Sequence, residues 1–136
     1  MLDLLLEHRD ELFGFLKGQW GKLFEAKYDV LLYDLTSTYF ESEPPPGDAV
    51  SKKRFGYSRD KRSDCVQVVV ALVLTPEGFP VAYEVYPGNT RDTATLGEFL
   101  DRIEKQYGKF RRTWLMDRGI PTEEMLEKMR ERRIDY

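Results

Sequence analysis

Ten residues, CVQVVVALVL at 65–74, form the most strand-prone stretch of the chain and constrain everything around it. They are rich in β-branched residues and carry no charge. Thr75-Pro76-Glu77-Gly78 follows as a tight turn, and FPVAYEVY at 79–86 returns. This is a hairpin. A lone two-stranded hairpin is at best marginally stable in water, so the remaining sequence must supply further strands and a covering layer. YDVLLYDLTSTYF at 28–40 is a third strand. Both of its alternating faces are largely apolar until Asp34, which predicts a central strand covered on both sides. RTWLM at 112–116 is a short buried strand running into Asp117.

Helical spacing appears in the gaps. Residues 92–107 place Leu96, Phe99, Leu100 and Ile103 on one face. Thr90 or Asp92 is the expected cap, after a turn at Gly88-Asn89. Thr122 can cap a helix running to about Arg133, with Glu123 and Glu124 in its first turn. Ile134-Asp135-Tyr136 reads as the opening of another strand. Residues 2–25 read as a helix whose packing stripe is Leu5, Leu12, Leu16, Trp20, Leu23 and Phe24, with Gly18 and Gly21 as points where it ends or bends. Residues 41–64 are a loop, because Pro44, Pro45 and Pro46 exclude regular structure.

The order is helix, strand, strand, strand, helix, strand, helix, strand opening. Early strands joined by loops pair antiparallel, and strands separated by helices pair parallel through right-handed crossovers. The fold class is therefore α/β: a ribonuclease H-like mixed sheet of three antiparallel strands plus parallel strand(s), flanked by helices and incomplete at the C-terminus. The expected division is an N-terminal helical segment at 1–27 and a partial catalytic domain at 28–136.

Composition excludes some classes. No apolar run approaches the roughly 20 residues of a membrane span. The segment MLDLLLEHRD has Asp3 inside its apolar stretch and does not read as a signal peptide. The single cysteine, Cys65, excludes an internal disulfide and suits a reducing cytoplasm. Charge is uneven. Residues 1–50 hold ten acids and four bases, whereas 51–136 hold seventeen bases and fourteen acids, which favours an anionic partner for the later part.

Two aspartates stand out. Asp34 interrupts an apolar strand, where a carboxylate is costly unless paired or metal-bound. Asp117 ends a buried strand before the turn at Arg118-Gly119, and sites in open sheets form at the carboxyl ends of strands. Each alone is equally well read as a cap or as a partner for a nearby arginine, Arg118 in the case of Asp117. Together on adjacent parallel strands they can meet. At about 4 Å their repulsion would be about 1 kcal/mol in water and roughly 4 kcal/mol at an effective dielectric of 20. A divalent cation removes that cost, and oxygen ligands with open positions suit Mg²⁺ or Mn²⁺.

YDLTSTYFE at 33–41, QVVVALVLTPEGFPVAYEVYPGNTRDTATL at 67–96 and LMDRGIP at 115–121 closely resemble the catalytic domain of bacterial DDE insertion-sequence transposases, in the family's order and spacing. The resemblance spans about residues 20–136. It implies that Asp34 and Asp117 bind the catalytic metals, Asp34 as the ligand shared between two ions and Asp117 as a ligand of one. The implied reaction is phosphodiester cleavage and strand transfer at transposon ends. The implied partner is DNA, with a homodimer for the full-length protein and a bacterial cytoplasmic, nucleoid-associated location. The family's third ligand is a Glu on a later helix beside Tyr, Arg and Lys. No segment here carries that signature; Glu123, Glu124, Glu127 and Glu131 lie too early. The expectation is thus a C-terminally truncated fragment that does not itself cut DNA.

SKKRFGYSRDKR at 51–62 sets Lys52, Lys53, Arg54, Arg59, Lys61 and Arg62 against one acid, Asp60, with Phe55 and Tyr57 among them. Basic and aromatic residues together suit DNA phosphates and exposed bases. A solvated connecting loop is the plainer reading. His8 is a surface residue without a metal-spaced partner. Cys65 belongs to the core, since no histidine accompanies it as a base. Two rivals remain. An aspartate-nucleophile phosphatase also sets Asp after an apolar strand, but it wants a second Asp where Thr36 stands. The other is an inactive transposon remnant, acting at most as a DNA-binding or dimer-interfering fragment.

Overall fold

The computed structural model describes residues 2–43, 51–57, 61–91, 95–108 and 111–136. Pro44, Pro45, Pro46, Gly47, Arg59, Asp60 and Asp92 lie outside the described residues. The element order is α1 (Leu2–Glu7), α2 (Arg9–Phe24), β1 (Val30–Phe40), β2 (Val66–Leu74), β3 (Pro80–Pro87), α3 (Leu96–Tyr107), β4 (Thr113–Met116) and α4 (Glu123–Glu131).

The sheet has the order β3-β2-β1-β4. The pairs β2–β3 and β1–β2 are antiparallel, and β1–β4 is parallel. This is the mixed sheet the sequence predicts. A parallel bridge from Thr113 to Asp135 opens a further strand beside β4, as the apolar Ile134 suggested.

Alternation sorts the strand residues onto two faces. Leu31, Tyr33 and Leu35 of β1, Val69, Ala71 and Val73 of β2, and Trp114 of β4 point to one side. They pack there with Leu96, Phe99, Leu100 and Ile103 of α3, with Ile120, and with Met129 of α4. The predicted stripe of α3 is buried in full. The Tyr33 ring meets Phe99 at 5.4 Å between centroids, and its hydroxyl bonds Thr95 Oγ1 at 2.8 Å. That contact fixes the start of α3 against the middle of β1 and gives two buried hydroxyls a hydrogen bond.

The opposite face departs from the expectation of a strand covered on both sides. Asp34, Thr36 and Thr38 are exposed, and Leu115 of β4 is 48% exposed. Leu32, Val68, Val70, Leu72 and Leu74 are only partly covered. Apolar alternation on both faces records what a strand can bury; it does not record whether a covering element is there.

The N-terminal helix divides at His8, which has non-helical backbone angles, while Gly14, Gly18 and Gly21 continue α2 without a break. Its predicted stripe is not a core face: Leu5, Leu12, Leu23 and Phe24 stay exposed. Phe13 instead meets Tyr83, and Trp20 stacks on Phe79, both supplied by the edge of the hairpin. Arg9 lies over the Tyr83 ring and joins Glu84, which also binds Arg102 of α3 and lies 3.7 Å from Lys52. Ring contacts and ion pairs along a sheet edge hold a helix without burying a stripe.

Capping also differs in one place. Thr122 caps α4, its Oγ1 accepting from Met125 N–H. For α3 the cap position is Thr95, whose hydroxyl is engaged by Tyr33, and Thr90 N–H closes the turn to Pro87 O. The sequence pattern assigns this cap to Thr90 or Asp92; the cap position is Thr95, which makes no side-chain cap hydrogen bond and whose hydroxyl is engaged inside the core.

Two glycines at opposite extremes test the packing. A Cβ on Gly14 would meet nothing within 4 Å, whereas one on Gly88 would stand 2.1 Å from Gln67 O and 2.5 Å from Arg54 O. Gly14→Ala is expected to stabilise the chain by about 0.5–1 kcal/mol. Gly88→Ala is expected to destabilise it by about 1–3 kcal/mol, because backbone must move. Urea denaturation midpoints for the two variants check both signs.

Candidate functional site

The parallel pairing of β1 and β4 runs Val30–Thr113, Leu31–Trp114, Leu32–Leu115, Tyr33–Met116. The pairing ends there, so Asp34 and Asp117 each directly follow the last paired residue of β1 and β4. Neighbouring strands are about 4.8 Å apart, so the two side chains leave adjacent backbone positions. Continued alternation puts them on the face of Leu32 and Leu115, away from α3. Both are exposed.

Sequence and fold account for the placement. Leu31 and Trp114 bury into the α3 layer and lock the register. Leu35 N–H donates to Asp34 Oδ1 at 2.8 Å. Ile120 N–H donates to Asp117 O at 3.0 Å, closing the turn at Arg118-Gly119 that ends β4. Among the described residues neither carboxylate makes an ion pair. The Arg118 partnership that would make Asp117 purely structural is absent there. Two carboxylates without an ion pair among the described residues, one in the middle of β1 and one just past the end of β4, are hard oxygen donors of the kind a divalent cation takes. Among the described residues no group of three potential ligands converges.

The basic segment packs against the start of β2. Arg54 exchanges two backbone hydrogen bonds with Gln67, and Gly88 N–H donates to Lys52 O. Gln67 is buried, and its Nε2 donates to Tyr57 O and Gly88 O. Residues 52–57 therefore continue the sheet where β3 ends. Their partner Gln67 faces Tyr39 of β1, five positions beyond Asp34, so they lie about 16 Å along the strand from the acidic pair.

The side chains divide into two groups. Lys52 Nζ donates to Val85 O and is near Glu84. Arg62 bonds Asp64 and Glu41 and lies over Tyr39, and this contact pushes the Asp64 carboxyl down to about 2. Arg54 Nη1 donates to Lys53 O. Lys53 sits 4.2 Å over the Phe40 ring, and Lys61 is exposed with a positive φ. Phe55 and Tyr57 project outward, 52% and 88% exposed. Arg59 lies outside the described residues.

Cys65 is buried and free, as the sequence suggested. Burial first and Asp64 next push its thiol upward, the wrong direction for a nucleophile. His8 is exposed beside Glu11. Sequence reasoning missed Gln67 and Gly56. A Cβ on Gly56 would stand 2.0 Å from Gly88 O. A polar residue inside the most apolar strand was the available signal.

A mixed sheet of three antiparallel strands and one parallel strand with flanking helices is a ribonuclease H-like fold. The sequence matches the family described as Transposase DDE domain over residues 25–136, and the chain belongs to that family. The solved Mos1 transposase paired-end complex with left transposon end has the same fold, with a TM-score of 0.52 at 15% identity. The match covers 95% of this chain and 40% of that one, so this chain spans well under half of the Mos1 chain. Among curated proteins none matches.

Adjacent like charges have a measurable consequence. In metal-free buffer of low ionic strength, Asp117→Asn should raise the melting temperature slightly, and the gain should shrink as salt screens the pair. Calorimetry at two salt concentrations reads this directly. A fall in melting temperature would show that the Asp117 carboxylate stabilises the turn instead.

Proposed function

We propose that this chain is the part of a DNA transposase that holds the catalytic cations through Asp34 and Asp117. The observation that supports the reading is the register of β1 and β4, whose last pair, Tyr33–Met116, directly precedes Asp34 and Asp117 in a chain of the Transposase DDE domain family. Mg²⁺ or Mn²⁺ fits oxygen donors of this kind. The chemistry such ions supply, when bound, is activation of a hydroxyl nucleophile and charge relief at the leaving oxygen of a phosphodiester.

The chain's own contribution is placement. Asp34 sits mid-strand, paired to Leu72 of β2 and just past the last β4 pair, and is the donor better fixed to bridge two ions. Asp117 sits at a turn and completes one side. The exposed face around them leaves room for a DNA strand. The segment at 52–57, with Lys53 and the rings of Phe55 and Tyr57 outward, lies about 16 Å farther along β1 and suits the flanking backbone and an unstacked base. Lys52, Arg54 and Arg62 contribute to that surface chiefly by holding it in shape, with Lys61 and Arg59 as further basic positions of the same segment. DNA at transposon ends is the substrate this reading requires, and a homodimer is the working form of the whole enzyme.

Two carboxylates supply too few ligands to fix two ions in a defined geometry, and that geometry is what the protein brings to this chemistry. The alternative, a DNA-binding or dimer-interfering remnant without activity, draws its support from this same shortage.

Two measurements test the reading. The purified 136-residue chain should bind Mn²⁺ weakly by calorimetry and leave transposon-end DNA uncut. In a protein whose third carboxylate completes the set, Asp34→Asn or Asp117→Asn should abolish cleavage. Metal-dependent cutting by the 136-residue chain would remove the need for a third ligand, and cleavage surviving Asp34→Asn would remove Asp34 from the site. For the basic segment, replacing Lys53 and Lys61 with Ala should weaken duplex binding and flatten its salt dependence by about 1 in slope per lost phosphate contact. An unchanged slope would reduce the segment to a structural connection.

A further inference from the structure

Helix α2 carries two apolar stripes, and the sheet uses one of them. Arg9, Phe13, Trp20 and Phe24 meet the hairpin edge at Tyr83 and Phe79. Leu12, Phe15, Leu16, Gln19 and Leu23 fall on a second stripe, roughly a quarter turn away at 3.6 residues per turn. Leu16 and Gln19 are half-buried, whereas Leu12, Phe15 and Leu23 are exposed, Phe15 at 63% and Leu23 at 69%. Helical bonding runs on past the break at His8, whose N–H donates to Leu4 O and whose carbonyl accepts from Leu12 N–H. Leu5, exposed and seven residues before Leu12, therefore extends the stripe. Its spacing of three, four and seven residues is that of the seam between two paired helices.

This surface is concentrated. Among the described residues, thirteen large apolar side chains are exposed, and eight of them belong to α1 and α2. Contiguous apolar surface of this kind marks a contact, whereas single exposed leucines do not. Helices in proteins draw most of their stability from packing a face, and α2 buries no residue fully.

Charge identifies the occupant. The first part of the segment, residues 2–16, holds Asp3, Glu7, Asp10 and Glu11 against Arg9, while residues 17–24 hold Lys17 and Lys22 and no acid. That polarity alone also suits the helix dipole. The dipole does not require that Glu7, Glu11 and Lys22 share one flank of the open stripe, on the side turned away from the sheet. All three are exposed. Glu11 meets only His8, and Glu7 and Lys22 make no ion pair among the described residues. Two such segments laid antiparallel set Lys22 of each copy against the acids of the other. A parallel arrangement sets acidic end against acidic end. An anionic lipid surface is opposed by the same acids.

We infer that the outer stripe of α1 and α2 is a self-association surface, pairing antiparallel with the same stripe of a second copy about a two-fold axis. Such an interface is isologous, so one patch serves both copies. It supplies a surface for the homodimer named above and does not depend on the metal reading of Asp34 and Asp117. A single helical face is a small interface, so the dimer belongs in the micromolar range.

The test is sedimentation equilibrium on the full chain, without DNA or metal, with circular dichroism to confirm the fold of each variant. The chain should dimerise reversibly. Phe15→Glu, at an exposed position, should raise the dissociation constant by about tenfold or more. Lys22→Glu alone, and Glu7→Lys combined with Glu11→Lys, should each weaken self-association several-fold, because each puts one sign along the whole flank. Mixing these two variants should restore pairing as a heterodimer with affinity near that of the unaltered chain. A chain that stays monomeric at hundreds of micromolar would overturn the inference. So would a dimer indifferent to Phe15→Glu, or charge variants that do not pair on mixing, since another surface would then be responsible. A monomer that instead sediments with phosphatidylcholine vesicles would assign the stripe to a membrane. No metal or DNA enters the experiment, so its failure leaves the test of Asp34 and Asp117 untouched.

Discussion

The parallel register between β1 and β4 is the constraint on which the rest depends. Four residue pairs set it, from Val30–Thr113 to Tyr33–Met116. Such a short pairing would be weak on its hydrogen bonds alone. It is fixed because Leu31 and Trp114 share the α3 layer, and because a one-residue slip would turn Trp114 out and Leu115 in. The same slip would move Asp117 away from Asp34. Core packing on one face thus determines the chemistry available on the other.

The two faces divide the work. The α3 side carries nearly all the apolar burial, and Tyr33 joins it to the middle of β1 through Phe99 and Thr95. The other side keeps exposed threonines, a half-exposed Leu115 and the two carboxylates. Charged groups are tolerated there because water can reach them. At the far end of the sheet the Gln67 amide donates to Tyr57 O and Gly88 O, beside Gly56 and Gly88, where no side chain fits. Among the described residues its Oε1 finds no hydrogen-bond partner despite burial. The donor side of that amide holds the basic segment in line with the sheet, and this outweighs the cost of one unsatisfied acceptor.

The N-terminal region illustrates a different economy. Helix α2 binds through rings and ion pairs at the hairpin edge and buries none of its residues fully. Its leucines follow helical spacing, yet several stay in solvent. Spacing identifies a helix because backbone geometry is local. It does not identify which face packs, because that depends on what the edge of the sheet offers, here Phe79 and Tyr83.

Much was readable in the sequence itself. The hairpin, the α3 stripe, the Thr122 cap and the parallel placement of β4 all follow from local pattern and turn chemistry, which act over a few residues. The two aspartates announce themselves because a carboxylate in or after an apolar strand is costly, and cost is visible residue by residue. Other features waited for tertiary structure. That Asp34 and Asp117 each follow the last paired residue of neighbouring strands depends on strand pairing between segments far apart in the chain. That one face of β1 lies open depends on what packs beside it. Pattern reports what a segment can bury or bear; only the pairing of distant segments decides which residues meet.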